Sequence, residues 1–233
     1  MDILFEYSLF MCGFLGIVSS KKIYNQNFKK ALMKISHRGP DNSSVWVNKS
    51  ETAILGHNRL SIIDLSSHGN QPMSYMGKYK IIYNGEIYNF KKIKNSLIKE
   101  GYSFKSNTDT EVILALYDKW EEDCLKYLRG MFAFAIYDEK KESVFIARDR
   151  VGEKPLYYIE SENKLYFSSE IKSLIELNVL DYKIDFHNFD YFLTRGFSKN
   201  NRTLYKNIKK LSPGHYLKYN IKKNISIIAR YWQ

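Results

Sequence analysis

The chain has 233 residues, of which 44% are hydrophobic, 15% aromatic and 26% charged. The length predicts one large domain or two small ones, and the composition excludes a disordered chain, a collagen-like repeat and a disulfide-rich miniprotein. With 36 Lys and Arg against 25 Asp and Glu, the formal charge is +11, which first suggests a nucleic acid or an anionic membrane as partner.

The predicted elements alternate short strands with a few helices. Apolar or alternating runs predict strands at residues 12–18, 45–47, 52–56, 61–64, 79–83, 132–138, 143–148, 155–159 and 165–168. A short helix is predicted at 28–35 and a longer one over 110–128, where apolar residues recur every three or four positions until Gly130. The pattern predicts an α+β fold in which helices cover layered sheets, and it leaves the strand order open.

The excess positive charge lies at the C-terminal end. Residues 1–190 hold 26 basic and 25 acidic side chains, whereas residues 191–233 hold ten basic and no acidic ones. Apolar residues such as Leu204 and Leu217 separate the basic ones, as on the exposed side of a folded segment. We therefore expect no nucleic-acid partner.

Membrane insertion and secretion are not expected. No apolar window reaches the roughly 18 residues that a membrane helix needs, and the run at 9–18 follows Asp2 and Glu6 rather than a basic segment. Only Cys12 and Cys124 are available for disulfides, so we expect a reducing cytoplasmic location. Cys124, on the apolar stripe of the longer helix, is expected to be an inert core residue.

Several common site motifs are absent from the sequence. The five histidines show no HExxH or HxxxH spacing and have no CxxC partner, so no metal site is predicted. There is no phosphate-binding GxxxxGK[ST] or GxGxxG motif and no GxSxG nucleophile elbow.

Cys12 follows a methionine, Met11. If translation began at Met11, or if residues 1–11 were removed, Cys12 would carry both a thiol and a free α-amine. An α-amine has a pKa of about 7.7–8.0, so one residue would supply nucleophile and general base. Without further support, the simpler interpretation is a buried core cysteine.

Nine segments together resemble one family. They are HRGPD (37–41), GHNRLSIID (56–64), QPM (71–73), YNGEIYN (83–89), SNTDTE (106–111), GMFAF (130–134), RDRVGEKPLYY (148–158), FSSE (167–170) and PGH (213–215). In this order they resemble the glutaminase domain of glutamine-dependent asparagine synthetases, from Cys12 to about Trp232. We expect HRGPD to form a polar turn beside Cys12 and RDRVGEKPLYY to have a structural or domain-contact role.

The resemblance implies an N-terminal nucleophile hydrolase fold, an αββα sandwich of two antiparallel sheets between helical layers. It also implies class II glutamine amidotransferase chemistry, in which Cys12 attacks the side-chain amide of L-glutamine and ammonia is released. Asn84 and Gly85 would form the oxyanion hole. Considered alone, Asn84-Gly85 between apolar runs is typical of a type I′ hairpin turn.

The resemblance further implies a glutamine pocket. Arg59 would bind the α-carboxylate, for which a planar guanidinium is well shaped, and Asp109 would pair with the α-ammonium group. Glu86 and the segment Leu60, Ser61, Ile62 and Ile63 would complete the pocket. Taken alone, Arg59 resembles a surface arginine and Asp109 a helix cap.

Two departures from the family pattern affect the expected activity. Residues 1–11 form an extension, which leaves the Cys12 nitrogen as an amide, and they precede an amidotransferase domain expected at 12–220. Residues 221–233 are expected to begin a linker to a synthetase domain, whose nucleotide loop Ser-Gly-Gly-x-Asp-Ser does not occur here. ATP and Mg are expected only in that domain, and no cofactor is expected in this chain.

The expected function is therefore release of ammonia from glutamine for amidation of aspartate to asparagine by a synthetase domain, fused or separate. A homodimer is a further expected assembly. The basic C-terminal segment would then face a protein domain. Two alternatives stay open: a non-catalytic regulatory or interaction module in which Cys12 is blocked, and an amidotransferase serving another acceptor.

Overall fold

The computed structural model describes residues 11–233, so the predicted extension lies outside the described residues except for Met11. Within this range the chain forms twelve strands: β1 Gly13–Ser19, β2 Asn42–Val47, β3 Ala53–Arg59, β4 Met73–Tyr75, β5 Tyr79–Ile87, β6 Gly130–Asp138, β7 Ser143–Arg148, β8 Tyr157–Ser161, β9 Lys164–Ser168, β10 Lys209–Lys210, β11 His215–Asn220 and β12 Ile225–Arg230. It also forms five α-helices: α1 Phe28–Met33, α2 Phe90–Lys99, α3 Asp109–Trp120, α4 Ile171–Glu176 and α5 Phe186–Arg195.

The strands form two antiparallel sheets of six. The first sheet has the order β10-β8-β9-β1-β3-β2, and the second has the order β12-β11-β7-β6-β5-β4. Side chains such as Phe14, Leu55 and Ile82 fill the space between the sheets. Helices α1 and α4 cover the outer face of the first sheet, and α2 and α3 cover the outer face of the second. The αββα arrangement predicted from the family resemblance is therefore confirmed.

The central strand β1 shows why a sandwich between helices produces a continuous apolar sequence. All seven of its residues are buried. Phe14 and Val18 pack between the sheets, whereas Leu15 and Ile17 pack toward α1. Because both faces of the strand are covered, neither face is polar. Cys12 lies directly before this strand, at one end of the sandwich.

Three sequence predictions need correction. Residues 61–64 form a loop rather than a strand. The strand predicted at 79–83 continues to Ile87, so Asn84 and Gly85 lie inside β5 and do not form a hairpin turn. The helix predicted over 110–128 ends at Trp120, because Glu121 leaves the helical conformation with a positive φ (47°) and a 3₁₀ turn, Glu121–Lys126, follows.

Cys124 in that turn is fully buried, and burial raises the pKa of its thiol. It is therefore the inert core residue that the sequence predicts.

Residues 221–233, assigned from the sequence to the start of a linker, include β12, which pairs along its whole length with β11. The boundary between domain and linker stays a prediction. No helix in the described part of the chain is long and apolar enough to cross a membrane. The cytoplasmic location stays a prediction.

Candidate active site

One pocket collects almost all of the predicted site residues. Cys12, Arg59, Leu60, Ile62, Ile63, Asn84, Gly85, Glu86 and Asp109 line it, together with Met11, Gly69, Gln71, Tyr83, Thr108, Thr110 and Met131. Ser61 is the exception among the predicted residues: its backbone N–H donates to Asp41 Oδ2 at 2.7 Å, which fixes the start of the loop. Both sheets and the N-terminal turn of α3 contribute to the walls.

Cys12 is held in the pocket by the end of β3 and by the HRGPD turn. The backbone N–H of Leu60 donates to Cys12 Sγ at 3.3 Å, and the thiol contacts the Leu60 carbonyl oxygen at 3.6 Å. The Cys12 carbonyl oxygen accepts a 3.1 Å bond from Arg38 Nε, and Arg38 pairs with Glu170 at 3.0 Å. The polar turn expected beside Cys12 is thus present, and its arginine fixes the Cys12 backbone.

The pKa of the Cys12 thiol is raised from its ordinary value by burial. The Leu60 N–H and the Arg59 charge oppose this effect without overcoming it. The thiol is therefore protonated at neutral pH, and a nucleophilic reaction at this sulfur needs a nearby base.

Asn84 presents an unpaired amide in the interior. The residue is fully buried, and neither its Oδ1 nor its Nδ2 has a hydrogen-bond partner among the described residues. Buried polar groups are normally paired, and Asn84 is one of the residues that line the pocket. The amide is therefore available to a ligand.

Gly85 follows Asn84 in the middle of the sheet, where β6 runs close to β5. A Cβ on residue 85 would overlap the Met131 carbonyl oxygen and would lie 2.7 Å from Phe132 Cα. The positive φ of 157° further favours glycine. The close approach of β6, rather than a turn, thus requires glycine beside Asn84.

Tyr83, directly before Asn84, is bonded through three of its polar groups. Its N–H donates to Gln71 Oε1 at 2.6 Å, and its hydroxyl donates to Asp109 Oδ2 at 2.7 Å. Its carbonyl oxygen is 2.9 Å from His57 Nε2. Sequence reasoning assigned no role to Gln71, Tyr83 or His57, although each stands in a motif segment that carries the family resemblance.

Asp109 is the first residue of α3, and Thr108 is its cap, because the Thr108 hydroxyl accepts from the Glu111 N–H at 3.3 Å. The interpretation of Asp109 as the cap is wrong. Asp109 Oδ2 instead accepts from Tyr83 and from the Ile87 N–H at 2.9 Å. Burial raises the pKa of this carboxyl, and these hydrogen bonds partly oppose the shift.

Arg59 is buried rather than exposed, and its guanidinium organises the loop that follows it. Nη1 donates to the Ser66 carbonyl and to Asn70 Oδ1, both at 2.8 Å. Nη2 donates to the carbonyls of Ile63, at 3.5 Å, and Asp64. These bonds bend residues 60–70 around the guanidinium, which explains why residues 61–64 form a loop.

The start of the RDRVGEKPLYY segment is a turn held by the side chains of its own first two residues. Asp149 is fully buried, and its carboxylate accepts hydrogen bonds from the N–H groups of residues 151–154. Arg148 donates to the carbonyls of Gly152, Lys154 and Leu211. These hydrogen bonds fit the structural alternative of the expected role, and a domain-contact role stays a prediction. No cluster of three or more potential metal ligands occurs among residues 11–233.

The chain is similar to known proteins over nearly its whole length. A family model described as a glutamine amidotransferase domain matches residues 11–232. The chain is 38% identical over 229 residues to asparagine synthetase [glutamine-hydrolyzing] 3 of Bacillus subtilis, covering 95% of this chain and 36% of that protein. It is 35% identical over 243 residues to putative asparagine synthetase [glutamine-hydrolyzing] 2 of Methanocaldococcus jannaschii, covering 96% of this chain and 47% of that protein.

A solved structure shows the same fold. The glutamine phosphoribosylpyrophosphate amidotransferase of B. subtilis, complexed with ADP and GMP, superposes with a TM-score of 0.71 at 18% identity, over 94% of this chain and 49% of that one. The chain therefore spans between about a third and a half of the length of these three proteins.

Proposed function

We propose, because this chain belongs to the glutamine amidotransferase domain family, that it hydrolyses the side-chain amide of L-glutamine to glutamate and ammonia, with Cys12 as nucleophile. The observation that carries the proposal is the convergence, in one pocket, of the Cys12 thiol and the unpaired Asn84 amide. The buried Arg59 and Asp109 line the same pocket and carry the charges opposite to those of an amino acid's carboxylate and ammonium groups.

The proposed reaction starts from a chain whose first residue is Cys12. The α-amine takes the thiol proton, and Sγ bonds to the side-chain carbonyl carbon of glutamine, whose oxygen becomes an oxyanion. The ammonium of Cys12 returns the proton to the leaving nitrogen, the C–N bond breaks, and ammonia departs from a γ-glutamyl thioester. Water then adds to the thioester with the amine again as base, and glutamate leaves as Sγ regains its proton.

Asn84 and Gly85 are proposed to stabilise the oxyanion. The Asn84 Nδ2–H group and the Gly85 backbone N–H would both donate to the oxygen on which the charge develops. Because the Asn84 amide has no hydrogen-bond partner within residues 11–233, it requires no exchange of protein hydrogen bonds there when the oxyanion forms. Preorganised donors of this type contribute strongly to catalysis.

Arg59 and Asp109 are proposed to bind the two charged groups of glutamine. All four Nη hydrogens of Arg59 already bond to the loop over residues 63–70. Bidentate binding of a carboxylate therefore requires at least one of these acceptors to give way. The ammonium group would approach Asp109, with Glu86 and the segment 60–63 completing the pocket.

Met11, the residue before Cys12, is the reason to propose that residues 1–11 are absent from the active protein. While Met11 is attached, the Cys12 nitrogen is an amide and cannot accept a proton. Met11 also lines the pocket itself, where it takes up space beside the thiol. We propose that the extended chain is a very poor glutaminase.

A synthetase domain that uses the ammonia is the proposed partner, by analogy with the glutamine-hydrolysing asparagine synthetases that the chain resembles. Phe186, Leu193 and Phe197 on and after α5 are 72%, 67% and 58% exposed, and residues 191–233 carry ten basic side chains and no acidic one. Exposed apolar side chains suit contact with a protein domain, and basic side chains that keep no acidic partner would favour acidic groups on that domain. Aspartate is the proposed acceptor.

The deciding experiment compares three proteins for release of glutamate from glutamine: the chain beginning at Cys12, its Cys12→Ser variant, and the full 233-residue chain. We expect turnover in the first protein alone. Equal and negligible turnover in all three, with circular dichroism showing that each is folded, would instead support a non-catalytic module. The mass of the protein purified from its native host tells which N-terminus occurs there.

A further inference from the structure

His57 is a fully buried imidazole on β3 that the proposed chemistry does not use. Its Nε2 is 2.9 Å from the Tyr83 carbonyl oxygen. Its Nδ1 is also buried and has no partner among the described residues. A core position of this kind would be filled more favourably by an apolar side chain, so the single hydrogen bond of His57 calls for an explanation.

That hydrogen bond connects the two sheets at the pocket. His57 lies opposite Phe14 in the pairing of β3 with β1, two positions from Cys12. Tyr83 belongs to β5 of the second sheet, and its carbonyl carbon is part of the peptide unit that leads into Asn84. The bond therefore spans from the sheet that carries the nucleophile to the strand that carries the oxyanion donors.

We infer that His57 is a positioning residue that sets the spacing between Cys12 and the oxyanion donors Asn84 and Gly85, by holding the Tyr83 carbonyl across the gap between the sheets. This inference rests on the proposed function. Packing between sheets is adaptable, whereas a hydrogen bond has a narrow range of length and angle. A single cross-sheet bond can thus fix a distance that apolar contacts alone leave loose.

The protonation state of His57 suits this role. Burial and the nearby Arg59 charge lower the pKa of the imidazole to about 4, so the ring is neutral at working pH. Because a carbonyl oxygen only accepts, the proton of the neutral ring resides on Nε2. His57 therefore donates steadily to Tyr83, and the Gln71 and Asp109 bonds to the same tyrosine hold its other polar groups.

Two amide variants that differ by one methylene test the inference in protein beginning at Cys12. The amide nitrogen of His57→Gln reaches the position of the imidazole Nε2, whereas that of His57→Asn stops short of Tyr83. We expect His57→Asn to lower kcat about 10–100-fold while the KM for glutamine changes less than about threefold. His57→Gln should retain kcat within about threefold.

Asn58 provides the matched control. It is the next residue of β3, is equally buried and also has one unpaired atom, but its side chain donates to the Leu32 carbonyl of α1 on the opposite face of the sheet. Asn58→Leu should change the midpoint of thermal unfolding without changing kcat. Equal losses of kcat in His57→Gln and His57→Asn, or a similar loss in Asn58→Leu, would overturn the inference.

Crystal structures separate this inference from the proposed function. In His57→Asn we expect the Tyr83 carbonyl and the Asn84 amide to move away from Cys12, relative to the unsubstituted protein. Unmoved groups would overturn the inference even if the unsubstituted protein hydrolyses glutamine. Conversely, a folded unsubstituted protein that does not hydrolyse glutamine would overturn the proposed function. The crystal structures of this protein and of His57→Asn would still show whether His57 positions Tyr83 and Asn84.

Discussion

The backbone N–H of Leu60 points at Cys12 Sγ from 3.3 Å, and Leu60 directly follows Arg59 at the end of β3. The segment that carries the proposed carboxylate-binding arginine therefore also fixes the proposed nucleophile. This N–H and the Arg59 charge stabilise a thiolate, while burial opposes it and dominates. The pocket alone thus leaves the sulfur as a thiol.

The first prediction concerns alkylation of Cys12 by iodoacetamide in the extended chain. Because the thiol pKa is raised above 9.0, the reactive thiolate is scarce at pH 7–8, and the rate should still be rising at pH 9. Protein beginning at Cys12 should react faster near pH 8, because its α-amine accepts the proton. Mass spectrometry of tryptic peptides follows the label, with buried Cys124 as the unlabelled internal control. A rate in the extended chain that levels off below pH 8 would contradict this account.

The second prediction separates catalysis from stability at Asn84. Asn84→Ala should lower kcat for glutamine about 10²–10³-fold, because one oxyanion donor is lost. The same change should affect the free energy of unfolding little through hydrogen bonding, since the amide has no partner to lose. Steady-state kinetics and urea unfolding measure the two effects.

Asn48 is the control for this variant. It is also buried, but its side chain bonds to Thr52, Ala53 and Tyr137 away from the pocket. Asn48→Ala should lower the free energy of unfolding by about 1–3 kcal/mol and leave kcat unchanged. A large loss of stability in Asn84→Ala would show that its amide has a structural partner after all.

The Asn84-Gly85 pair illustrates how far sequence reasoning reaches. Its order in the motif YNGEIYN, within the family resemblance, identified the pair as site residues, and the structure places both in the pocket. Local pattern alone predicts a hairpin turn, because Asn-Gly is the commonest turn dipeptide of that type. The glycine is instead required by contact with Met131 and Phe132. Those residues are more than forty positions away, so no local window reveals that contact.

The loop after β3 is a second case in which the local sequence pattern predicts the wrong structure. Residues 61–64 were predicted to form a strand, because two β-branched isoleucines stand side by side there. Their carbonyl oxygens are taken by the Arg59 guanidinium, which removes acceptors that a sheet neighbour would need. By contrast, strands such as β1 and β7 were predicted well, because burial on both faces imposes a continuous apolar run. His57 was missed because a single buried histidine has no spacing signal.

The third prediction concerns Arg59. Arg59→Lys keeps the charge but replaces a planar group of five donors with a single ammonium, so it cannot hold the loop and also bind a carboxylate through two parallel bonds. The KM for glutamine should rise at least about tenfold. Glutamate release at varied glutamine concentration measures the effect.

Arg148→Lys is the matched control for Arg59→Lys. Arg148 is likewise buried and bonds to three backbone carbonyls, but it does not line the pocket. Its substitution should lower the midpoint of thermal unfolding without raising KM. An unchanged KM in Arg59→Lys would refute a carboxylate-binding role for Arg59.

The fourth prediction is that removing the charge of Asp109 weakens glutamine binding but does not lower the stability of the fold at pH 7. Burial raises the pKa of this carboxyl above its ordinary value of 3.8, so the folded state binds a proton more readily than the unfolded state. At neutral pH the ionised Asp109 therefore destabilises the folded state. This destabilisation is relieved as the pH falls through the raised pKa.

Asp109→Asn should consequently leave the protein at least as stable at pH 7, since an amide oxygen can still accept from Tyr83 and Ile87. The variant loses the negative charge opposite the substrate ammonium, so KM for glutamine should rise about 10–100-fold, as expected for a lost charge-assisted hydrogen bond. In the unsubstituted protein KM should rise as the pH falls through the raised pKa, and in the variant this rise should be absent.

Glu111 is the control for Asp109, one position beyond Thr110 in the same helical turn. It is similarly buried, but its carboxylate accepts from the N–H groups of Lys105 and Ser106 outside the pocket. Glu111→Gln should therefore leave KM unchanged. Thermal unfolding at pH 5 and 7, together with glutamate release, tests both variants. Asp109→Asn could instead lower the free energy of unfolding at pH 7 by as much as its rise in KM represents as a free energy. In that case the effect on substrate follows from local unfolding, and Asp109 does not bind the ammonium group.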